Sequence, residues 1–286
     1  MQPAVYVAAG AIAIAGAALA VRALWVEPRR LVTRGRTLRL AGWPRGLERL
    51  RVVVVSDLHA GSPQVQPPAL RRVAEAVRRA QPELVLFLGD FVDREVVLGE
   101  DVAPEAAGQA LEPISAPLGV FGVLGNHDWR YGGERVERAM RDAGIEMLEN
   151  EGVRLDRGGA ALWLAVVGDE SSLRAQPERA LSEVPPDATV IVATHSPDVF
   201  PRLPDRVALT LAGHTHAGQV NVPWLRRLWT PSRFGARYAT AVVHEGAKTL
   251  YVHPGVGTSG VPVRLAAPPE VSVLTLRGRR GRRPAG

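Results

Sequence analysis

The sequence predicts an α/β protein of two packed β-sheets with helices outside, preceded by one transmembrane helix. Three features predict it. Strand and helix patterns alternate through the first half of the body, strands dominate the second half, and an uncharged apolar run opens the chain. With 286 residues the chain suits one large α/β domain or two small ones, and 46% hydrophobic residues supply a sizeable core.

The elements follow in order. Pro3 to Val21 carries no charge, and apolar character resumes after Arg22 through Ala23-Leu24-Trp25-Val26. About 20 such residues span a bilayer as a helix, so residues 1–27 read as an anchor with Trp25 at the interface. A cleaved signal peptide, with small residues near Ala18-Leu19-Ala20, is the alternative, although no basic segment precedes the apolar run. Arg22, Arg29, Arg30, Arg34, Arg36 and Arg39 follow it, and the positive-inside bias puts the body in the cytoplasm. Residues 28–49 read as a basic, irregular linker, so a chain starting near Arg39 is expected to keep the fold.

The domain then occupies residues 50–276. Arg51 to Val55 is a buried-strand run, Pro68 to Ala80 has helical spacing, and Leu84 to Leu88 and Gly119 to Leu124 are the next strands. Gly132 to Ala143 reads as a helix. Further strands are expected at Ala161 to Val167, Thr189 to Ala193, Val207 to Ala212, Ala239 to His244, Thr249 to Val252 and Val271 to Leu276. No internal repeat is present. Residues 277–286 read as a basic, disordered tail.

Composition narrows the chemistry. Without cysteine there is no disulfide framework, thiolate site or Cys nucleophile. The net charge of +6 is uneven: the segment 22–39 and the tail each hold about +5, which leaves the body at about −4. The basic flanks suit an anionic leaflet, and the acidic body argues against a nucleic-acid partner.

Polar clusters stand at the ends of the apolar strands. They are Asp57-Leu58-His59, Gly89-Asp90, Gly125-Asn126-His127-Asp128, His195 and Gly213-His214-Thr215-His216, and they hold five of the seven histidines. In open α/β sheets ligands bind beyond the carboxyl ends of strands. Hard oxygen and imidazole donors delivered there suit two divalent ions, Mn, Fe or Zn, that clamp a phosphate. Asp57 and His59 alternate toward one ion. Asp90 is the natural bridge, Asn126 offers a carbonyl oxygen, and His195, His214 and His216 complete the shells. Taken singly, each cluster also reads as a turn, a strand edge or a core histidine; the ordered set carries the inference.

These motifs resemble the calcineurin-like metallophosphoesterases, whose pattern runs D-x-H, G-D, G-N-H-[DE], H and G-H-x-H, over roughly Val52 to Leu276. Ser56-Asp57-Leu58-His59, His195-Ser196-Pro197-Asp198 and Gly213 to Gln219 are similar to a bacterial, membrane-associated subgroup. That subgroup includes phosphodiesterases and UDP-diacylglucosamine pyrophosphatases. The resemblance implies a four-layer α/β/β/α sandwich and hydrolysis of a phosphodiester or pyrophosphate bond by metal-bound hydroxide. It also implies Asp57, His59, Asp90, Asn126, His195, His214 and His216 as metal ligands, His127 as catalytic acid, and Asp128 as the group that orients its ring.

Other readings remain. Asp93-Arg94 is similar to Ser/Thr protein phosphatases, where the arginine grips phosphate, so Arg94 is a candidate substrate contact. A non-catalytic scaffold of the same fold would have lost ligands, and none is lost. Pro223 to Trp229 interleaves tryptophan with arginine and suits a bilayer interface or the core. His253 reads as a rim or strand-end histidine. A lipid or lipid-linked substrate is expected from the anchor and the basic flanks, with no obligate protein partner.

Overall fold

The computed structural model describes residues 3–222, 230–239 and 241–279. Helix α1 (Pro3–Val21) continues through a π turn at Arg22–Val26 and a 3-10 turn at Glu27–Arg29. From Tyr6 to Arg29 it is long and apolar enough to cross a membrane. Tyr6, Ile12, Ile14 and Leu19 are all exposed on it, so the domain does not bury this surface.

Strands β1 (Val32–Leu40), β2 (Leu50–Val55), β3 (Leu84–Phe87), β4 (Val120–Gly122) and β5 (Glu146–Met147) come first. Between them lie helices α2 (Pro67–Arg79), α3 (Pro104–Leu111) and α4 (Asn126–Asp142). Next come β6 (Glu151–Arg157), β7 (Ala160–Val167), the single-turn helix α5 (Pro177–Ala180), β8 (Val190–Thr194) and β9 (Val207–Ala212). Strands β10 (Ala241–Glu245), β11 (Lys248–Val252) and β12 (Glu270–Gly278) complete the set. One sheet has the order β1-β12-β2-β3-β4-β5 and the other β10-β11-β9-β8-β7-β6.

The valine run of β2 is apolar on both faces because both faces are covered. Val53 and Val55 pack with Leu70, Val77, Val85 and Met140 beneath α2 and α4. Val52 and Val54 point the other way and meet Leu164, Ile191 and Leu211 of the second sheet. The outer face of that sheet is closed by Ala180, Phe200 and Tyr238, from α5 and short 3-10 turns. The four layers are thus α/β/β/α, with a thin fourth layer.

The expected irregular linker is instead largely part of the domain. Strand β1 pairs in parallel with β12 over its whole length. Arg34 and Arg36 alternate along it, and Arg36 forms a hydrogen-bonded ion pair of 2.6 Å with the buried Glu270. A chain starting near Arg39 would remove most of this strand. The tail also starts later than expected: Arg277 and Gly278 finish β12, and the Arg279 amide donates to the Leu40 carbonyl. The rest of the tail and Pro223 to Trp229 lie outside the described residues.

Register fixes where α1 joins. Val32 pairs with Glu270, and Ser272 pairs with Val54 of antiparallel β2. The start of β1 therefore stands level with Ser56, at the edge where β2, β3 and β4 end.

Candidate dinuclear metal centre

Every candidate ligand sits just beyond a strand end or at the start of α4. Backbone hydrogen bonds join these loops: the Asp57 amide donates to Gly89, His59 to Asp90, and Gly213 to His195, at 2.8–2.9 Å. Glycine is required where the loops cross. A Cβ on Gly213 would collide with the Ser56 hydroxyl, and one on Gly125 with the Asp90 carboxylate. Asp57, His59, Asp90, His214 and His216 all have positive φ, between 44° and 70°. Such conformations cost about 1–3 kcal/mol each and concentrate at functional sites.

The side chains form two groups. His59 Nε2 lies 3.0 Å from His216 Nε2, 3.5 Å from Asp90 Oδ2 and 4.0 Å from Asp57 Oδ1, and His216 Nε2 is 3.5 Å from Asp57 Oδ1. In the other group, His195 Nε2 is 3.2 Å from Asp90 Oδ2, 3.2 Å from Asn126 Oδ1 and 3.1 Å from His214 Nδ1. Asp90 Oδ2 belongs to both. The spacing fits metal shells. Donors bound at about 2.1 Å stand about 3.0 Å apart along an octahedral edge and about 3.4 Å apart along a tetrahedral one.

Partners behind the rings aim them. His195 Nδ1 donates to the Leu88 carbonyl at 2.6 Å, and His59 Nδ1 donates to Asp93 Oδ2 at 2.7 Å, so each Nε2 presents its lone pair inward. Asp57 accepts from the His214 amide through both oxygens. His214 and His216 are pushed toward the neutral form, first by burial and then by neighbouring imidazoles, which is the state a ligand needs. At Asp90 and His195 burial opposes charge, but their mutual attraction outweighs it; the acid is held well below its usual range and the imidazole well above. A dication between them would take that proton's place.

His127 sits beside this pair of groups, its ring centroid 4.8 Å from that of His59. Its Nε2 is 3.2 Å from Ser259 Oγ, and its Nδ1 is 3.0 Å from Asp93 Oδ2 and 3.6 Å from Glu95 Oε2. Burial lowers its pKa, but Asp93 and Asp90 outweigh burial and raise it. The expectation for Asp128 is overturned here. Its carboxylate accepts from the amides of Phe91, Val92 and Gly125, closing the start of α4 onto the loop after Asp90. Burial and the charge of Asp90 push it up to about 7. Its hydrogen bonds are to backbone, and the group beside the His127 ring is Asp93.

Asp93 was therefore the residue that sequence reasoning passed over. Its signal was a carboxylate three positions after Asp90, beyond Phe91-Val92, which the Asp93-Arg94 pair named without giving the acid a role. Arg94 itself stacks on Tyr131 at 3.6 Å and pairs with Asp101 at 3.4 Å; among the described residues it has no contact with the candidate ligands. His253 is not on the rim. It is fully buried, accepts from the Gly255 amide at 2.9 Å, and burial pushes it down to about 4. A cavity of about 830 Å³ lies elsewhere, between α2 and β1, lined by Arg51, Arg71, Arg72 and Arg79.

Asp/His groups of this kind, at the strand ends of a two-sheet α/β fold, suit a dinuclear divalent-metal site and define a metal-dependent hydrolase. Residues 50–218 match the calcineurin-like phosphoesterase family, and the chain belongs to it. It is 28% identical to the uncharacterized metallophosphoesterase YkuE of Bacillus subtilis (strain 168), over 94% of this chain and 93% of that protein. It is 28% identical to a zebrafish (Danio rerio) transmembrane protein with metallophosphoesterase domain, over 82% of this chain and 54% of that one. It is 24% identical to the UDP-2,3-diacylglucosamine pyrophosphatase LpxG of Chlamydia trachomatis, over 80% of this chain and 84% of that enzyme.

Proposed function

We propose that this phosphoesterase is anchored in the membrane by α1 and hydrolyses a phosphodiester or pyrophosphate bond of a lipid or lipid-linked substrate. The observation that carries the catalytic part is Asp90 Oδ2, which stands in both donor groups. Asp57, His59, Asp90 and His216 would hold one ion, and Asp90, Asn126, His195 and His214 the other. When bound, two dications lower the pKa of water and neutralise charge on the phosphoryl oxygens. Two carboxylates against two dications leave about +2 for an anionic substrate.

The chain's own residues do the rest. His59 and His195 are locked in the tautomer that points Nε2 inward. Asp93 holds His127 and favours its protonated form, so Nε2 carries a proton for the leaving oxygen. Asp128 fixes the turn on which His127 is mounted. Lipid specificity is supported by α1 and by the similarity to an enzyme named as a UDP-2,3-diacylglucosamine pyrophosphatase. The arginines after α1 favour a cytoplasmic body in a single-pass protein. Arg94 turns to Tyr131 and Asp101, which supports this reading over a protein phosphatase.

The test uses the full chain in detergent, reconstituted with Mn. It should bind about two equivalents and cleave a lipid-linked pyrophosphate or lipid phosphodiester faster than the matching water-soluble headgroup. Faster cleavage of a phosphopeptide than of either would overturn the assignment.

A further inference from the structure

The end of α1 is built into the loop that lines the candidate metal site. The Ala23 carbonyl accepts from the Arg264 amide at 2.9 Å, and the buried Glu27 carboxylate accepts from the Ala267 amide at 2.9 Å. Arg264 is itself fully buried, and its guanidinium donates to the carbonyls of Pro254, Gly257 and Ala267. The Gly257 amide then donates to the Asp57 carbonyl at 2.6 Å. A short chain of contacts thus runs from the helix to a candidate ligand.

Helix length sets a depth. The 19 residues of α1 rise about 28 Å, close to the roughly 30 Å of a bilayer's hydrocarbon core. Ala23 lies near the end of the apolar span Tyr6–Arg29, so Arg264 is held close to where the helix leaves the bilayer.

The rim of the site carries a second, independent feature. Beyond Val26, the large apolar side chains left exposed among the described residues are Val97 at 54%, Leu98 at 83%, Leu173 at 95% and Val261 at 40%. Scattered exposed leucines are ordinary, but these are not scattered. Leu173 is two residues from Ser171, whose hydroxyl lies 3.2 Å from His214 Nε2. Val261 is two residues from Ser259, which contacts His127. Val97 follows Glu95, another His127 neighbour, and its amide donates to Gly260 at 2.7 Å. All stand at the edge where α1 joins.

We infer that the mouth of the metal site faces the bilayer, with Val97, Leu98, Leu173 and Val261 dipping into the leaflet around it. The occupant of this apolar rim is lipid, because Val261, and Val97 through Gly260, lie on the loop that binds Ala23 at the end of the emerging transmembrane helix. A substrate would enter laterally, its phosphorus at headgroup depth and its acyl chains still in the membrane. The inference rests on α1 spanning the bilayer, and it deepens the lipid reading by saying how the substrate arrives.

The absence of cysteine allows a direct test. Full-length Leu98→Cys, Leu173→Cys and Val261→Cys would each carry an environment-sensitive fluorophore, in nanodiscs of phosphatidylcholine and phosphatidylglycerol with brominated acyl chains. Ile14→Cys reports the span, and Asp187→Cys, exposed before β8 at the opposite edge, reports bulk solvent. Quenching at the three rim positions should exceed that at Asp187 by at least about twofold, as for side chains at the headgroup–acyl boundary. Quenching at Ile14 with none at the rim would overturn this inference alone. No quenching at Ile14 would overturn the anchor as well. Blue-shifted rim emission without bromine quenching would mean a protein cover, such as a second copy, and would also overturn it. No turnover enters the measurement. Quenched rims without lipid hydrolysis would remove the proposed substrate and leave the rim placement standing.

Discussion

Replacing Asp93 by Asn would separate support of the site from the site itself. One oxygen, Oδ2, meets both His59 Nδ1 at 2.7 Å and His127 Nδ1 at 3.0 Å. An Asn oxygen in the same place still accepts, but without charge. A charged hydrogen bond contributes about 1.5–3 kcal/mol and a neutral one about 1. The His59 bond weakened by about 1.4 kcal/mol comes to on the order of 10-fold in kcat/KM, and the ion-pair contact with His127 loses its charge as well. That lies within the 10–100-fold range typical of partners behind metal ligands. The pH profile gives the second reading. Asp93 raises the His127 pKa, so losing its charge lowers that pKa, and the protonated acid is lost earlier as pH rises. The alkaline limb of kcat/KM should therefore move to lower pH. The assay is hydrolysis of a diester with a poor leaving group by Mn-loaded protein across about pH 6–9, with metal content measured on the same samples. Full metal content, a wild-type rate and an unmoved alkaline limb would refute the argument that Asp93 holds the acid.

Asp90→Asn should lose most of both metals, read by elemental analysis, because its oxygen stands in both donor groups. His127→Gln should keep both and lose turnover by about 10²–10⁴-fold, with a smaller loss for nitrophenyl leaving groups, which need no proton. A chain beginning at Leu31 should fold and bind metal, whereas one beginning at Gly42 should aggregate, because it strips β1 from β12; light scattering separates them. Glu270→Gln should lower Tm by about 5 °C or more, by breaking its buried pair with Arg36. Glu270 is held below the usual carboxylate range although burial opposes this. Its contribution should be intact above the unfolded carboxylate pKa and disappear as pH falls through the lower folded value, a loss absent from the Gln variant.

Strand β2 and the donor clusters were legible because their patterns are local. Two covered faces make a continuous valine run, and close spacing keeps chemically matched donors visible. Strand β1 was not. Its arginines read as linker, and its reason for being a strand is β12, more than 230 residues away. Strand β6 was missed for a related reason: it lies at a sheet edge and is largely exposed, so no buried face marks it. The role of Asp128 was misread because adjacency in sequence is not adjacency in space. A residue two places after Asn126 on α4 turns its side chain back to the helix start, while Asp93 arrives from another loop.

The place of β12 in its sheet also bears on how the protein is made. It lies between β1 and β2, so β1 has no sheet partner, and β2 only β3, until β12 leaves the ribosome. At about 5–20 residues per second, the 230 residues from Leu40 to Glu270 take on the order of 10–50 s to synthesise. Throughout that interval the nascent chain would display β1 as an unpaired strand. Arg34, Arg36 and Arg39 would then act as gatekeepers, repelling another nascent copy's β1 until β12 arrives to claim the edge.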